Sequence, residues 1–338
     1  MASRLTRFGN DLYTGARSFD FVGKRKIWYA IAIVMVVLSI LVPIVKGGFN
    51  FSIEFRGGSQ FQITNVSNTN TTKAQDAVTS VVPDAVSHVS VVGRDAVQVQ
   101  TDQLSESQTK EVADALATAY GVDAADVSST FIGPSWGADV TQQSIQGLVV
   151  FLLLAFIAMA LYFRTWKMSA AAIISLFHDL IITAGIYALV GFEVSPATMI
   201  GFLTILGYSL YDTVVVFDKI RENTREELDL TRRTFAESVN LAVNQTLVRS
   251  INTAVVAVLP VASILFIGAY ALGAATLRDI SLALLIGIIV GTYSTIFLAA
   301  PMYSQFREGE AAIKKHDQKV RSIRPKAAKP PVAAVGAE

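Results

Sequence analysis

Asp212 has the clearest opportunity for chemistry. It stands in Gly207-Tyr208-Ser209-Leu210-Tyr211-Asp212-Thr213-Val214-Val215-Val216-Phe217, an apolar run that turns charged only at Asp218-Lys219-Ile220-Arg221-Glu222. A charge inside a membrane span costs roughly 2.5–3.5 kcal/mol on insertion scales, so such a residue is expected to face protein or water and to have a function. Arg249, in Asn244-Gln245-Thr246-Leu247-Val248-Arg249-Ser250, enters the next apolar run at similar depth. If the two helices lie antiparallel and adjacent, the spacing predicts that Asp212 and Arg249 meet. Arginine keeps its proton, so Asp212 is the titrating member. A neighbouring cation favours the carboxylate and desolvation favours the neutral acid. A site balanced between them can load and release a proton as water access changes. The same pair can also be pure architecture, fixing helix register while Arg249 snorkels to the surface.

Asp179, beside His178, lies well inside another apolar run. The two side chains can form a hydrogen-bonded relay or a plain polar helix contact. Glu193 falls in a short loop and reads as solvated, and Arg278-Asp279 reads as a local cap. His88, His178 and His316 are far apart, which gives no metal spacing, and the chain has no cysteine. Disulfides, thiol catalysis and Cys-ligated metal are thereby excluded. No nucleophile–base set or phosphate loop is present, so neither an enzyme nor a cofactor is expected. A formal net charge of +1 gives no reason to expect a nucleic-acid partner.

Of the 338 residues, 52% are hydrophobic and only 16% charged, against about 25% charged in ordinary soluble domains. The long uncharged runs predict an α-helical polytopic membrane protein with six transmembrane helices in a 1+5 arrangement, at 27–45, 145–163, 168–190, 197–217, 247–272 and 280–300. The segment 46–141 is soluble in character and reads as an α/β, ferredoxin-like (βαββαβ) external domain. In it, 60–64 alternates as a strand and 71–82 reads as a helix ending at Pro83. Strands at 89–91 and 97–99 flank a turn at Gly93-Arg94-Asp95. A helix over 105–120 is capped by Ser105 and stopped by Gly121, and 127–131 is the last strand.

Two glycine-rich junctions bracket the domain, Ile53-Glu54-Phe55-Arg56-Gly57-Gly58 and Ile132-Gly133-Pro134-Ser135-Trp136-Gly137. Gly57, Gly58, Gly133, Pro134 and Gly137 are therefore candidate hinge residues, with plain turns as the alternative. Gly201 and Gly207, with Gly287 and Gly291, predict close helix approach. The charged loop 218–246 is expected to form a surface helix. The basic tail 301–338 is expected to be disordered past Arg324. Lysine and arginine concentrate in 1–26, 164–167, 218–246 and 301–338, whereas 46–141 carries only Lys46, Arg56, Lys73, Arg94 and Lys110. The positive-inside rule then places both termini in the cytoplasm and the domain outside.

These residues resemble a known family. The stretch Ile205–Asn223, supported by Phe51-Ser-Ile-Glu-Phe-Arg-Gly-Gly58, Gln245-Thr-Leu-Val-Arg-Ser250 and Gly287-Ile-Ile-Val-Gly-Thr-Tyr-Ser-Thr-Ile-Phe297, is similar to the SecF subunits of the bacterial SecDF protein-export complex, within the resistance-nodulation-division (RND) superfamily. The resemblance covers about residues 20–305. It implies a bacterial cytoplasmic-membrane protein that uses the proton-motive force, with SecD, to promote late preprotein export. The implied partners are SecD, the SecYEG channel, SecA indirectly, the unfolded polypeptide, membrane lipid and protons. The family's transmembrane Asp and Arg match Asp212 and Arg249. Tyr211 stands where family members usually have Asn, Glu54 where they usually have Asp, and Arg56 is bulkier than expected. Six spans resemble one pseudo-symmetric half, which calls for a matching partner. The alternatives are an RND-type half-transporter for a small molecule or lipid, and a non-transporting scaffold of the translocon.

Overall fold

The computed structural model describes residues 4–230, 232–271 and 275–323. The N-terminal segment is not featureless. Helix α1 (Arg4–Thr14) buries Leu12 completely in a cluster that also holds Val243 and Leu247. Helix α2 (Arg25–Lys46) is the first span. At 1.5 Å per residue it reaches about 33 Å, enough for the hydrocarbon core.

The external domain follows as β1 (Asn50–Phe51), α3 (Ile53–Arg56), β2 (Gly58–Ile63), α4 (Thr71–Val81), β3 (Ser87–Val92), β4 (Ala96–Thr101), α5 (Glu106–Tyr120) and β5 (Val127–Ile132). Its four-stranded sheet has the order β3-β4-β2-β5, antiparallel throughout, which is the ferredoxin-like arrangement. Alternation builds its core: Phe61, Ile63, Val97 and Val99 are fully buried among residues of α4 and α5. Asn70 caps α4 by accepting from Thr72 N–H, and Ser105 with Gln108 forms a capping box on α5.

The remaining spans are α6 (Pro134–Phe163), α7 (Trp166–Val190), α8 (Pro196–Leu230), α9 (Phe235–Ser263, continued by a π-helical turn Ile264–Ala271) and α10 (Ala275–Ser294). A second π-helical turn, Thr295–Ala299, leads from α10 into α11 (Ala300–Glu308), and α12 (Ala311–Ile323) follows. Among the described residues, six helices are long and apolar enough to cross a membrane. Half or more of the apolar stretch of α7, α8 and α10 is buried, against about a tenth for α6 and α9 and less for α2. The first three are therefore the inner layer.

Two expectations change. The charged segment 218–246 is not a separate surface helix. α8 runs on through it to Leu230 and α9 begins at Phe235. The extension keeps helical spacing, with a Lys219–Glu222 pair at 2.7 Å. Thr234 and Glu237 then form the capping box of α9. The tail is helical as far as Ile323, with Ile313 and Val320 buried. The expected disorder past Arg324, and the end of the fifth span at Leu272, lie outside the described residues. Finally, Gly201 packs on Ala283 and Gly287 on Ile205, but an added Cβ at Gly207 would meet nothing within 4 Å.

The two junctions form one joint. Gly57 and Gly58 have φ of 76° and 133°, and an added Cβ at Gly58 would lie 2.3 Å from the Thr101 carbonyl oxygen. Gly133 is the extended N-cap of α6 (φ −70°), and Pro134 opens the helix. Gly137 sits where a Cβ would come within 2.6 Å of the Phe55 carbonyl oxygen, so α6 packs on α3 at its first turn. A two-residue strand β6 (Glu193–Val194), between α7 and α8, pairs in parallel with β1. The joint is thereby tied to the N-terminal end of α8.

Candidate functional site

Asp212 is 6% exposed, midway along α8. Its Oδ1 accepts a hydrogen bond from Ser250 Oγ at 2.8 Å. Its Oδ2 is buried and has no partner among the described residues. The expected direct pair with Arg249 is not formed. Successive helical residues diverge by about 100°, so when α9 turns Ser250 toward Asp212 it turns Arg249 away. Arg249 is exposed and lines a cleft of about 430 Å³ with Asp218, Lys219, Glu222 and Gln245. The helices are adjacent as anticipated, but the contact is made by a hydroxyl rather than a guanidinium.

Asp179 is 2% exposed on α7. His178 Nδ1 lies 3.2 Å from its Oδ1, and Ser209 Oγ donates to its Oδ2 at 2.7 Å. Both carboxyl oxygens are thus engaged. Ser209 precedes Asp212 by three residues, so one face of α8 serves both carboxyl groups. The His178 ring stacks on Tyr293 of α10 (centroids 6.1 Å apart). One turn further along the same core, Thr213 and Thr295 share a hydroxyl–hydroxyl bond of 3.0 Å. The result is a buried polar seam of Asp179, Ser209, Asp212 and Thr213 where α7, α8, α9 and α10 meet. Asp179 is held on both oxygens in the manner of a fixed helix contact. Asp212 is held on one, and its other oxygen can accept a proton without breaking an existing bond.

The seam was only partly visible in sequence. Ser209, Ser250, Thr213 and Thr295 were missed because small hydroxyl residues in apolar helices commonly bond their own backbone. The available signal was Ser209 three residues before Asp212.

Gly291 completes the seam. An added Cβ there would lie 2.9 Å from Ser209 Oγ and 3.5 Å from Asp179 Oδ2. Gly291→Ala is expected to displace Ser209 and lower thermal stability by about 1–3 kcal/mol. Gly207→Ala is expected to change stability by less than about 1 kcal/mol. Melting curves of the two variants check this.

A second polar contact links the bundle to the domain. Glu193 is not solvated as the loop suggested: Gln100 Nε2 donates to its carboxylate, while Gln60 accepts from Gln98 and Gln100 at 3.1 Å. Nor is Asp279 only a local cap. It keeps Arg278 at 3.3 Å, but it also accepts from Ser195 Oγ at 2.7 Å, joining α10 to the start of α8. Burial pushes the Glu193 carboxyl above its usual range, partly offset by Gln100, with Asp279 and Glu54 pushing further up and Arg278 pulling down. The folded joint therefore binds more protons than the unfolded chain between the ordinary glutamate value and the raised one. Its stability is held below that window and falls as pH rises through it. Hydrogen-exchange protection of β1 and β4, corrected for intrinsic rates, should fall across the window. In Glu193→Gln the fall should be smaller.

The family described as protein export membrane protein SecD/SecF, C-terminal, matches residues 111–309, and the SecD/SecF GG motif matches 44–64. The chain is 43% identical over 331 residues to the protein translocase subunit SecF of Streptomyces coelicolor, covering 95% of this chain and 86% of that protein. It is similar in structure to SecDF, a translocon-associated membrane protein from Thermus thermophilus, with TM-score 0.75 and 31% identity, covering 86% of this chain and 39% of that one. It is also similar to SecDF in a super-membrane-facing form, with TM-score 0.62 and 29% identity, covering 90% of this chain and 40% of that one. The chain spans about two fifths of those SecDF chains.

Proposed function

The chain belongs to the SecF family of protein-export membrane proteins, and from that premise we propose that it couples the proton-motive force to preprotein export through Asp212. Its role in protein translocation and its place as a multi-pass protein of the bacterial cell membrane follow from the family. The proton coupling rests on one observation. A half-bonded, buried carboxyl group sits midway along a single unbroken helix, and that helix begins at the joint of the external domain.

Protonation of Oδ2 removes the negative charge, which weakens the Ser250 bond without breaking it and shifts the packing of α8 on α9. α8 is continuous from Pro196, so a tilt at Asp212 is carried to β6, β1 and the Gln100–Glu193 contact. One charge moving through 100 mV supplies about 2.3 kcal/mol, and a single hydrogen bond is worth about 0.5–1.5 kcal/mol. One or two protons per cycle are therefore sufficient to open and reclose such a joint. Gly57, Gly58, Gly133, Pro134 and Gly137 form the pivot in this reading. Arg249, on the cleft of about 430 Å³, marks where water would enter toward Asp212 in this reading.

The basic loops support a reading with both termini in the cytoplasm and the domain outside, where emerging polypeptide from SecYEG, driven by SecA, would be held. SecD supplies the matching half. Arg249 and Tyr211 (57% exposed) are placed against it, because an arginine exposed at membrane depth requires a polar counterpart. Export of small molecules is less well supported: the cavity beside His88 and Thr101 in the external domain is about 60 Å³, against about 300–1,000 Å³ for ligand pockets.

The test is preprotein export into inverted membrane vesicles with ATP supplied and the proton gradient imposed or collapsed. Proton coupling through this chain requires a gradient-dependent increment that appears only when it is present with SecD. An increment of the same size without it would overturn the proposal.

A further inference from the structure

Two cavities near the start of the first span are both lined by residues of α2 and α11. The first, about 450 Å³, is lined by Arg25, Lys26, Lys314 and Arg321, with the carboxylates of Glu308 and Asp317. Both carboxylates are already engaged. Glu308 holds Arg25 in a two-armed ion pair at 2.6 and 2.9 Å, and Asp317 accepts from the Phe235 N–H at 2.9 Å. Lys26, Lys314 and Arg321 are exposed and form no ion pair among the described residues. Four cations against two carboxylates leave a net charge of +2 in one pocket at the membrane boundary, with Lys26, Lys314 and Arg321 free to meet an anion.

The second cavity, about 470 Å³, is an apolar groove between α2, α7 and α11, lined by Tyr29, Ile33, Val37, Ile174, Phe177 and Met302 among others. The two cavities follow one another along α2 and α11. Arg25, Tyr29, Ile33 and Val37 recur at four-residue spacing on one face of α2. On α11, Met302 and Gln305 line the groove and Glu308 lines the pocket. The Arg25–Glu308 ion pair stands at the junction. The Tyr29 hydroxyl is at the same level, buried and without a partner among the described residues.

A basic pocket, an unpartnered hydroxyl and an apolar groove follow one another in the order of a phospholipid's parts. We propose that this site binds an anionic diacyl phospholipid. Its phosphate sits among Lys26, Lys314 and Arg321, its ester carbonyl accepts from the Tyr29 hydroxyl, and one acyl chain lies in the groove against Ile33, Val37 and Phe177. Excess positive charge selects an anionic headgroup over a zwitterionic one, and the groove selects a lipid over a soluble phosphate. Such a lipid would brace α2, α11 and α12 together. The assignment is independent of the proton-coupling reading.

The test is native mass spectrometry of the full-length chain with its SecD partner, titrated with phosphatidylglycerol, phosphatidylcholine or soluble glycerol phosphate. Phosphatidylglycerol should be retained about tenfold or more over phosphatidylcholine. The triple variant Lys26→Gln/Lys314→Gln/Arg321→Gln should erase that preference without altering the weak retention of phosphatidylcholine. Ile174→Trp, which fills the groove, should lower phosphatidylglycerol retention while the three cations remain. Equal retention of the two lipids by the wild type, an unchanged preference in the triple variant, or full competition by glycerol phosphate would overturn the assignment. A partner helix filling the groove in the complex would show as no lipid retained, and would overturn it as well.

Discussion

Asp212→Asn is expected to remove the gradient-dependent part of preprotein export and leave the ATP-driven part at its wild-type rate. Asparagine matches aspartate in shape, and its side-chain oxygen can still accept from Ser250 Oγ. α8 and α9 therefore stay packed, held in the arrangement of the protonated carboxyl, and the variant should accumulate normally, with stability within about 1 kcal/mol of wild type. What it cannot do is change its charge. The gradient increment should fall to background at matched levels of the complex. Asp179→Asn provides the contrast. Asp179 is bonded by His178 and Ser209 on its two oxygens, and an amide places a donor where one of these needs an acceptor. That change should cost about 1–3 kcal/mol of stability while part of the gradient increment survives in the folded fraction. Loss of stability without loss of coupling at 179, and the reverse at 212, separates a fixed contact from a working one.

Gly58→Val is expected to unfold or detach the external domain. At φ 133° a β-branched residue is strained by about 1–3 kcal/mol, and its Cβ would stand 2.3 Å from the Thr101 carbonyl oxygen. That oxygen belongs to β4, which pairs with β2 at Ser59–Thr101, so it cannot swing aside without opening the sheet. Strain and overlap together reach about 3 kcal/mol or more. A domain of this size is held by roughly 4–11 kcal/mol. The variant should show early proteolysis within 58–132, with the membrane spans intact. Gly133→Ala should be tolerated within about 1 kcal/mol, because Gly133 has a φ open to any residue and an added Cβ meets nothing within 4 Å. Limited proteolysis of both variants in the full complex distinguishes a required glycine from a permissive one.

Hydropathy and alternation make the architecture legible. The spans follow from uncharged runs, and the external domain from the inward positions Phe61, Ile63, Val97 and Val99. Those signals are local, so they survive without knowledge of neighbours. Helix ends are less legible. The charges of 218–230 suggest a break, yet α8 continues, because charged side chains outside the membrane do not interrupt helical hydrogen bonding. The capping box of Thr234 and Glu237 was the readable sign of where the next helix begins. The site is legible in its carboxyl groups and illegible in their partners. Asp212 and Asp179 stand out by cost. Whether Arg249 or Ser250 meets Asp212 depends on a rotation of α9 of about one residue, which no local pattern encodes. The contact of Gln100 with Glu193 joins residues far apart in the chain through a two-residue strand pair, too short to announce itself.

Proton occupancy at Asp212 can be followed in the reconstituted complex by isotope-edited infrared difference spectroscopy of the carboxyl stretch, with the gradient imposed and then collapsed across the vesicle membrane. The expected result is a protonated-carboxyl signal that rises and falls with the gradient, disappears in Asp212→Asn and persists in Asp179→Asn. A gradient-sensitive signal that survives Asp212→Asn would contradict proton coupling at this residue. So would the absence of any such signal while the gradient still accelerates export.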